Sequence, residues 1–298
     1  MLALEWGGKD YAWASWPIIS MFAISLVVGL LFIVVELRAE EPVLPLNLFK
    51  NRMVVGLSLA CLCQGAIMFS AIAYLPIFST AVLGQENSNG LLTPMMASLI
   101  AGAVAFGFLQ SKFAYRTLIA VSMVAGVIVS YLLTTVGHDA SKWYMMGLMV
   151  LLGLGAVGPL MSLAQTAMAA SVERKYIGVT SSIVGFWRSI GGVLGASIMA
   201  TVVNSNLKTI LTDGAAAHQI PLDQIGTLAS PELLVRATGT VPKEILDFVR
   251  DSLGTAINHG FILCIVFAVI GIIAAVVAGP GRYTNPVDAT AKQPAHVG

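Results

Sequence analysis

The chain has 298 residues, 57% of them apolar and only 10% charged, with a formal net charge of +1 and a mean hydropathy of +0.86. Soluble domains carry about 25% charged residues, so this composition excludes a soluble globular enzyme and an intrinsically disordered chain. The near-zero charge also excludes a basic nucleic-acid binder, and leaves a protein whose main solvent is lipid.

Residues 1–15 hold no signal peptide: there is no basic stretch followed by a short apolar run and a cleavage site. They are expected as an extracytoplasmic segment. A charge-free apolar run of about 18 or more residues predicts a membrane helix, because about 20 residues at 1.5 Å rise cross the hydrocarbon layer. The first run is 16–37. A short linker, 38–52, follows, broken by Pro42 and Pro45. Further runs fall at 53–80, 90–110, 117–137, 143–169, 177–204 and 259–280. They are long and continuous rather than alternating, which favours helices over the strands of a barrel. Helices also satisfy every backbone group internally, as lipid requires. The expected fold is all-α transmembrane with seven helices.

Between the sixth and seventh runs, 205–258 reads as a loop. Within it, 242–257 has Pro242 in its first turn and Ile245, Val249, Leu253 and Ile257 on one face. That pattern predicts an amphipathic helix, lying on the membrane surface or serving as a partner or lid helix. The tail 281–298 is polar.

The short loops set the orientation. Arg38, Lys50, Arg52, Lys112, Arg116, Arg174, Lys175, Arg282 and Lys292 fall on one side, and only Lys9 and Lys142 on the other. Nine against two places the C-terminus in the cytoplasm. An external start with an odd helix count leads us to expect the C-terminal part of a larger transporter.

Arg188 is the one charge deep in a predicted span. An arginine at a helix centre costs about 2.5–3.5 kcal/mol on insertion scales and usually faces a bundle interior or an aqueous cavity. It either lines a solute path or snorkels to the cytoplasmic interface. Gly192 and Gly195 share its face, and Gly191 and Gly195 make a small-xxx-small pair suited to close helix packing. Gly153, Gly155 and Gly158 match the G-x-G-x-x-G dinucleotide pattern. Their charge-free context and the following Pro159 favour packing and a kink instead. Gln64, Gln110 and Gln165 either contact a solute or tie helices together. Trp187, Tyr74 and Phe78 are candidate cavity aromatics, and His259 is a candidate proton carrier at a helix edge. Cys61, Cys63 and Cys264 have neither metal nor disulfide spacing. No cofactor or metal is expected. Glu36, Glu86, Glu173 and the other acids fall at span ends or in loops and none mid-membrane, so a proton-coupling carboxylate has to come from elsewhere.

Residues 5–15 (EWGGKDYAWAS), 37–52 (LRAEEPVLPLNLFKNR), Leu75-Pro76, Gly90 to Pro94 and 177–199 (IGVTSSIVGFWRSIGGVLGASIM) together resemble the fourteen-helix drug/proton antiporters of the major facilitator superfamily, the EmrB/QacA type. The resemblance runs over nearly all of 1–280. It implies that 16–37 is a linker helix, that 53–280 is the six-helix C-terminal bundle, and that the protein lies in a bacterial inner membrane. By that resemblance Arg188, Gly191, Gly192 and Gly195 match an R-x-x-G-G-x-x-G stretch in the penultimate helix. The loop 107–116 looks like a degenerate copy of the basic loop that gates the cytoplasmic side, with Lys112 and Arg116 keeping its charge. Thr80 stands where a glutamine is often found. The function implied is proton-coupled efflux of small molecules by two bundles rocking around a midplane site, with the coupling acids mostly in an N-terminal bundle and this portion inactive alone. The alternative is a non-transporting membrane protein, as a truncated product or an assembly partner.

Overall fold

A computed structural model describes residues 14–38, 46–82, 89–137, 140–218 and 243–279. These residues form helices and no strand. The expectations for 1–13, for the linker with Pro42 and Pro45, and for the tail lie outside them. Helix α1 spans Trp16–Arg38, α2 Arg52–Ile77, α3 Asn89–Leu109, α4 Tyr115–Thr134, α5 Lys142–Leu151, α6 Gly158–Ala170, α7 Ile177–His218 and α8 Lys243–Ala278. A single-turn helix, Leu46–Lys50, precedes α2. Wide, π-type turns extend α2 through Phe78–Val82 and join α5 to α6 through Leu152–Val157. Among the described residues, seven stretches are long and apolar enough to cross a membrane. The chain is an all-α, multi-pass membrane protein.

Helix α1 is mostly exposed and apolar, from Ile19 and Phe22 to Val35 and Leu37, with Ile18 and Glu36 buried near its two ends. A helix of that kind meets lipid or another protein over most of its surface. The remaining helices pack into one bundle around α2. Asn51 caps α2 by accepting a hydrogen bond from the Met53 N–H at 2.9 Å, which satisfies one of the four orphan donors of its first turn. Its Nδ2 donates to the Ser171 carbonyl at 2.8 Å, tying the start of α2 to the end of α6.

The core has two parts. Toward the α2 start, Leu57, Cys61, Tyr115, Ile119, Leu160, Ile183 and Ala275 are buried together. Toward its end, Leu75, Phe78, Val129, Leu152, Met199 and Phe261 are buried together. Glycine brings backbones into contact within this packing. A Cβ on Gly56 would stand 2.6 Å from the Ala278 nitrogen. Outward faces are apolar where α4 shows Val121, Val124 and Ile128, and where α8 shows Ile262, Val266, Val269 and Ile273. Trp143 and Tyr144 open α5 and are exposed, the amphipathic rings that sit well at a membrane boundary.

The segment 205–258 differs from the expected loop. Helix α7 runs on to His218 and α8 starts at Lys243, with 42 and 36 residues respectively. If upright, each overruns the hydrocarbon layer of about 30 Å by roughly 25–35 Å. The apolar stripe predicted for a surface helix is instead the first half of α8. Val249, Leu253 and Ile257 are fully buried against the bundle with Leu207, Leu211 and Val82. Gly254 lets α8 approach the Val82 side chain. Charged residues such as Lys208 and Asp213 end the apolar run without ending the helix, because they lie on its exposed side.

Candidate functional site

The site is built where α2, α4 and α7 meet the wide turn between α5 and α6. Pro159 removes one N–H from the backbone ladder there. The turn is stretched, so that the Gly158 N–H reaches the Gly153 carbonyl, five residues back. Two side chains from other helices donate to carbonyls at the break. Ser122 Oγ donates to Ala156 O at 2.7 Å, and Gln64 Nε2 donates to Val157 O at 2.6 Å. Both donors are buried. Buried side-chain donors commonly satisfy backbone groups freed by a kink in lipid.

Gln64 uses its other end for Arg188. Arg188 Nε donates to Gln64 Oε1 at 3.1 Å. The result is a chain of polar groups from α7 through α2 to the kink. Arg188 is half-buried, and its Nη2 is fully enclosed with no hydrogen-bond partner among the described residues. Among the described residues Arg188 forms no ion pair. Glu173, at the near end, lies 15 positions before Arg188 in the sequence, roughly 22 Å by helical rise. The guanidinium is therefore met by a neutral amide and not by a counter-charge.

The backbone permits this contact because α2 and α7 touch. A Cβ on Gly65 would overlap the Arg188 carbonyl oxygen, and one on Gly191 would overlap the Leu62 carbonyl oxygen. One on Gly195 would stand 2.5 Å from Ala66 Cα, and one on Gly192 2.6 Å from the Phe69 ring. Gly153 and Gly158 place the wide turn on α3 in the same manner, against Met95, Leu99 and Ala103, while Gly155 faces Ala125 of α4. The Gly-rich run is a packing surface in the middle of a bundle, with no strand beside it.

Other predicted residues spread out. Trp187 is half-buried, its ring 6.5 Å from Phe49 and 5.7 Å from Phe186, both edge-on. Its Nε1 is enclosed with no hydrogen-bond partner among the described residues. Gln165 is half-buried on α6. Gln110, at the end of α3, accepts from Thr166 Oγ1 at 2.6 Å and links α3 to α6. Tyr74 and Phe78 lie in the core, not on an open wall. Thr80 donates to the Pro76 carbonyl at 2.9 Å, within its own helix end. Lys112 and Arg116 are exposed around the tight turn between α3 and α4. His259 is exposed on α8. Among the described residues no group of His, Cys, Asp and Glu could hold a metal ion.

Two contributors were not anticipated, although the sequence singles out Ser181 and Ser182 as packing residues. Ser122 was invisible because a lone serine in an apolar helix has no sequence mark. The second is the outer face of α7. Ser181, Ser182, Ser189, Thr201 and Ser205 are exposed on it together with Ile177, Phe186 and Ile198, whereas the exposed faces of α4 and α8 are mostly apolar. Ser182 and Ser189 lie seven residues apart and Thr201 and Ser205 four apart, which was the available signal.

The family model described as Major Facilitator Superfamily matches residues 1–196. Similar proteins include the Multidrug transporter protein MdtP of Bacillus subtilis (strain 168), 31% identical over 96% of this chain and 57% of that protein. Multidrug resistance protein 3 of the same organism is 29% identical over 98% of this chain and 58% of its own length. The Rubrofusarin-specific efflux pump aurT of Gibberella zeae is 29% identical over 77% of this chain and 42% of its own length. The chain thus spans less than two thirds of the length of each.

Proposed function

Because the chain belongs to the Major Facilitator Superfamily, we propose that it supplies one wall of the solute path in an exporter of drugs or other small molecules. In this reading α1 is a linker helix and α2–α8 are the C-terminal six-span bundle of a fourteen-helix antiporter. The basic loops, Lys112 and Arg116 among them, face the cytoplasm of a bacterial inner membrane, and the C-terminus lies on that side. Coupling to protons falls to carboxylates elsewhere in the full transporter. The 298-residue portion alone moves no solute uphill. The sequence similarity to multidrug transporters supports the class of solute.

The observation that carries the proposal is the outer face of α7. Its exposed residues mix Ser181, Ser182, Ser189, Thr201 and Ser205 with Ile177, Phe186 and Ile198 around a half-buried arginine, and polar and charged groups in lipid cost free energy unless they meet water or protein. Such a face suits an aqueous path or a second bundle. Gln64 holds Arg188 in place, and the wide turn at Pro159 gives the wall a bend that can change as two bundles rock.

The test is export of ethidium from vesicles under an imposed pH gradient. The 298-residue chain alone is expected to give none. Fused behind the N-terminal part that MdtP has and this chain does not match, it is expected to restore export. Uphill export by the chain alone contradicts the proposal. So does a well-inserted, abundant fusion that exports nothing, which favours a non-transporting membrane protein.

A further inference from the structure

The unmet end of Arg188 specifies a ligand chemistry. Its Nε is engaged by Gln64 Oε1 at 3.1 Å, and Gln64 is itself anchored to Val157 O at 2.6 Å. The side-on approach to the guanidinium is thus blocked by a neutral group held from two sides. Nη2 is enclosed and has no partner among the described residues. A guanidinium that is always charged and carries an enclosed, unused donor favours an anionic oxygen over any neutral acceptor. The helices packed against this part of α7 offer no acid. α2 and α6 contain none at all, and the described acids of α8, Asp247 and Asp251, lie in its first turns. That end of α8 packs with Phe78 and Val82, more than three helical turns along α2 from Gln64.

We propose that Arg188 binds a carboxylate of an amphipathic small molecule through the end of its guanidinium. The selected solutes are organic acids, not the cations that an acid-lined cavity would take. This rests on the reading of α7 as a wall of the solute path. The same carboxylate chemistry has a second source, a side chain of the protein outside the described residues, and the experiment separates the two.

The measurement is equilibrium binding to the 298-residue chain in nanodiscs, which needs no transport. The probes are 2-naphthoate and 2-naphthamide, which share one apolar body and differ in charge. The wild type is expected to bind the acid at least about tenfold more tightly than the amide. Arg188→Gln is expected to erase that preference while leaving amide binding unchanged, and Arg188→Lys to keep part of it. Retained helicity and a monodisperse elution profile establish that each variant is folded, and Arg188→Lys carries the test if Arg188→Gln fails to fold. Equal binding of acid and amide by the wild type overturns the proposal. If Arg188→Gln then lowers thermal stability by more than Gln64→Leu, which breaks the same Arg188–Gln64 bond, the partner is a carboxylate of the protein itself. Acid preference without export by the fusion removes the transport reading alone, and export without acid preference removes this inference alone.

Discussion

Gln64 is buried and uses both ends of its amide, one for Arg188 and one for the Val157 carbonyl. Leucine has a similar size and neither group. Gln64→Leu leaves Arg188 Nε and a kink carbonyl unmet, and orphaning a buried polar group costs about 1–3 kcal/mol. We expect a lower thermal unfolding temperature in detergent than for Gln165→Leu, whose parent is only half-buried. Equal effects would show that the Gln64 contacts contribute nothing. The glycines give a second contrast. A methyl group on Gly191 meets the Leu62 carbonyl, whereas one on Gly185 of the same helix meets nothing within 4 Å. Gly191→Ala is expected to reduce the yield of folded protein several-fold and Gly185→Ala to leave it unchanged. Equal yields would mean that α2 and α7 do not touch there.

Helix by helix, lipid-crossing segments were legible because charge is so scarce. A run nearly free of charge marks what can enter hydrocarbon, and it located all seven spans. It does not mark where a helix stops. Helices α7 and α8 extend into 205–218 and 243–258 by burying Leu207, Leu211, Val249 and Leu253 against each other and Phe78, with Lys208 and Asp247 turned outward. The stripe of Val249, Leu253 and Ile257 was readable as an amphipathic face; its partner was not, since it comes from distant helices. Leu253→Ala tests this. A core leucine truncated to alanine costs about 2–5 kcal/mol, and a clear loss of thermal stability is expected. A change no larger than that of an exposed site such as Thr255→Ala would restore the surface-helix reading. The kink was foreshadowed by Gly153, Gly155, Gly158 and Pro159, yet its hydrogen bonds to Gln64 and Ser122 cross 93 and 34 positions of sequence. No local pattern encodes such pairings.

For the whole molecule, the low charge count first meant only that lipid is the solvent. The structure adds that the described bundle is not apolar on every outer side. Helices α4 and α8 turn mainly valine and isoleucine outward, and α7 turns serine and threonine outward together with Ile177, Phe186 and Ile198. On the reading proposed above, this asymmetry marks α7 as the wall of a path. The most direct test is cysteine labelling in vesicles that hold the 298-residue chain, with Cys61, Cys63 and Cys264 replaced by alanine. Single cysteines at Ser189 and Thr201 are compared with those at Val266 and Ile273. A membrane-impermeant, water-soluble thiol reagent presented on both sides is expected to modify the α7 positions at least tenfold faster than the α8 positions. If Ser189→Cys and Thr201→Cys react only with a lipid-soluble reagent, as Ile273→Cys is expected to, then α7 faces lipid and the account of it as a wall of the solute path is contradicted.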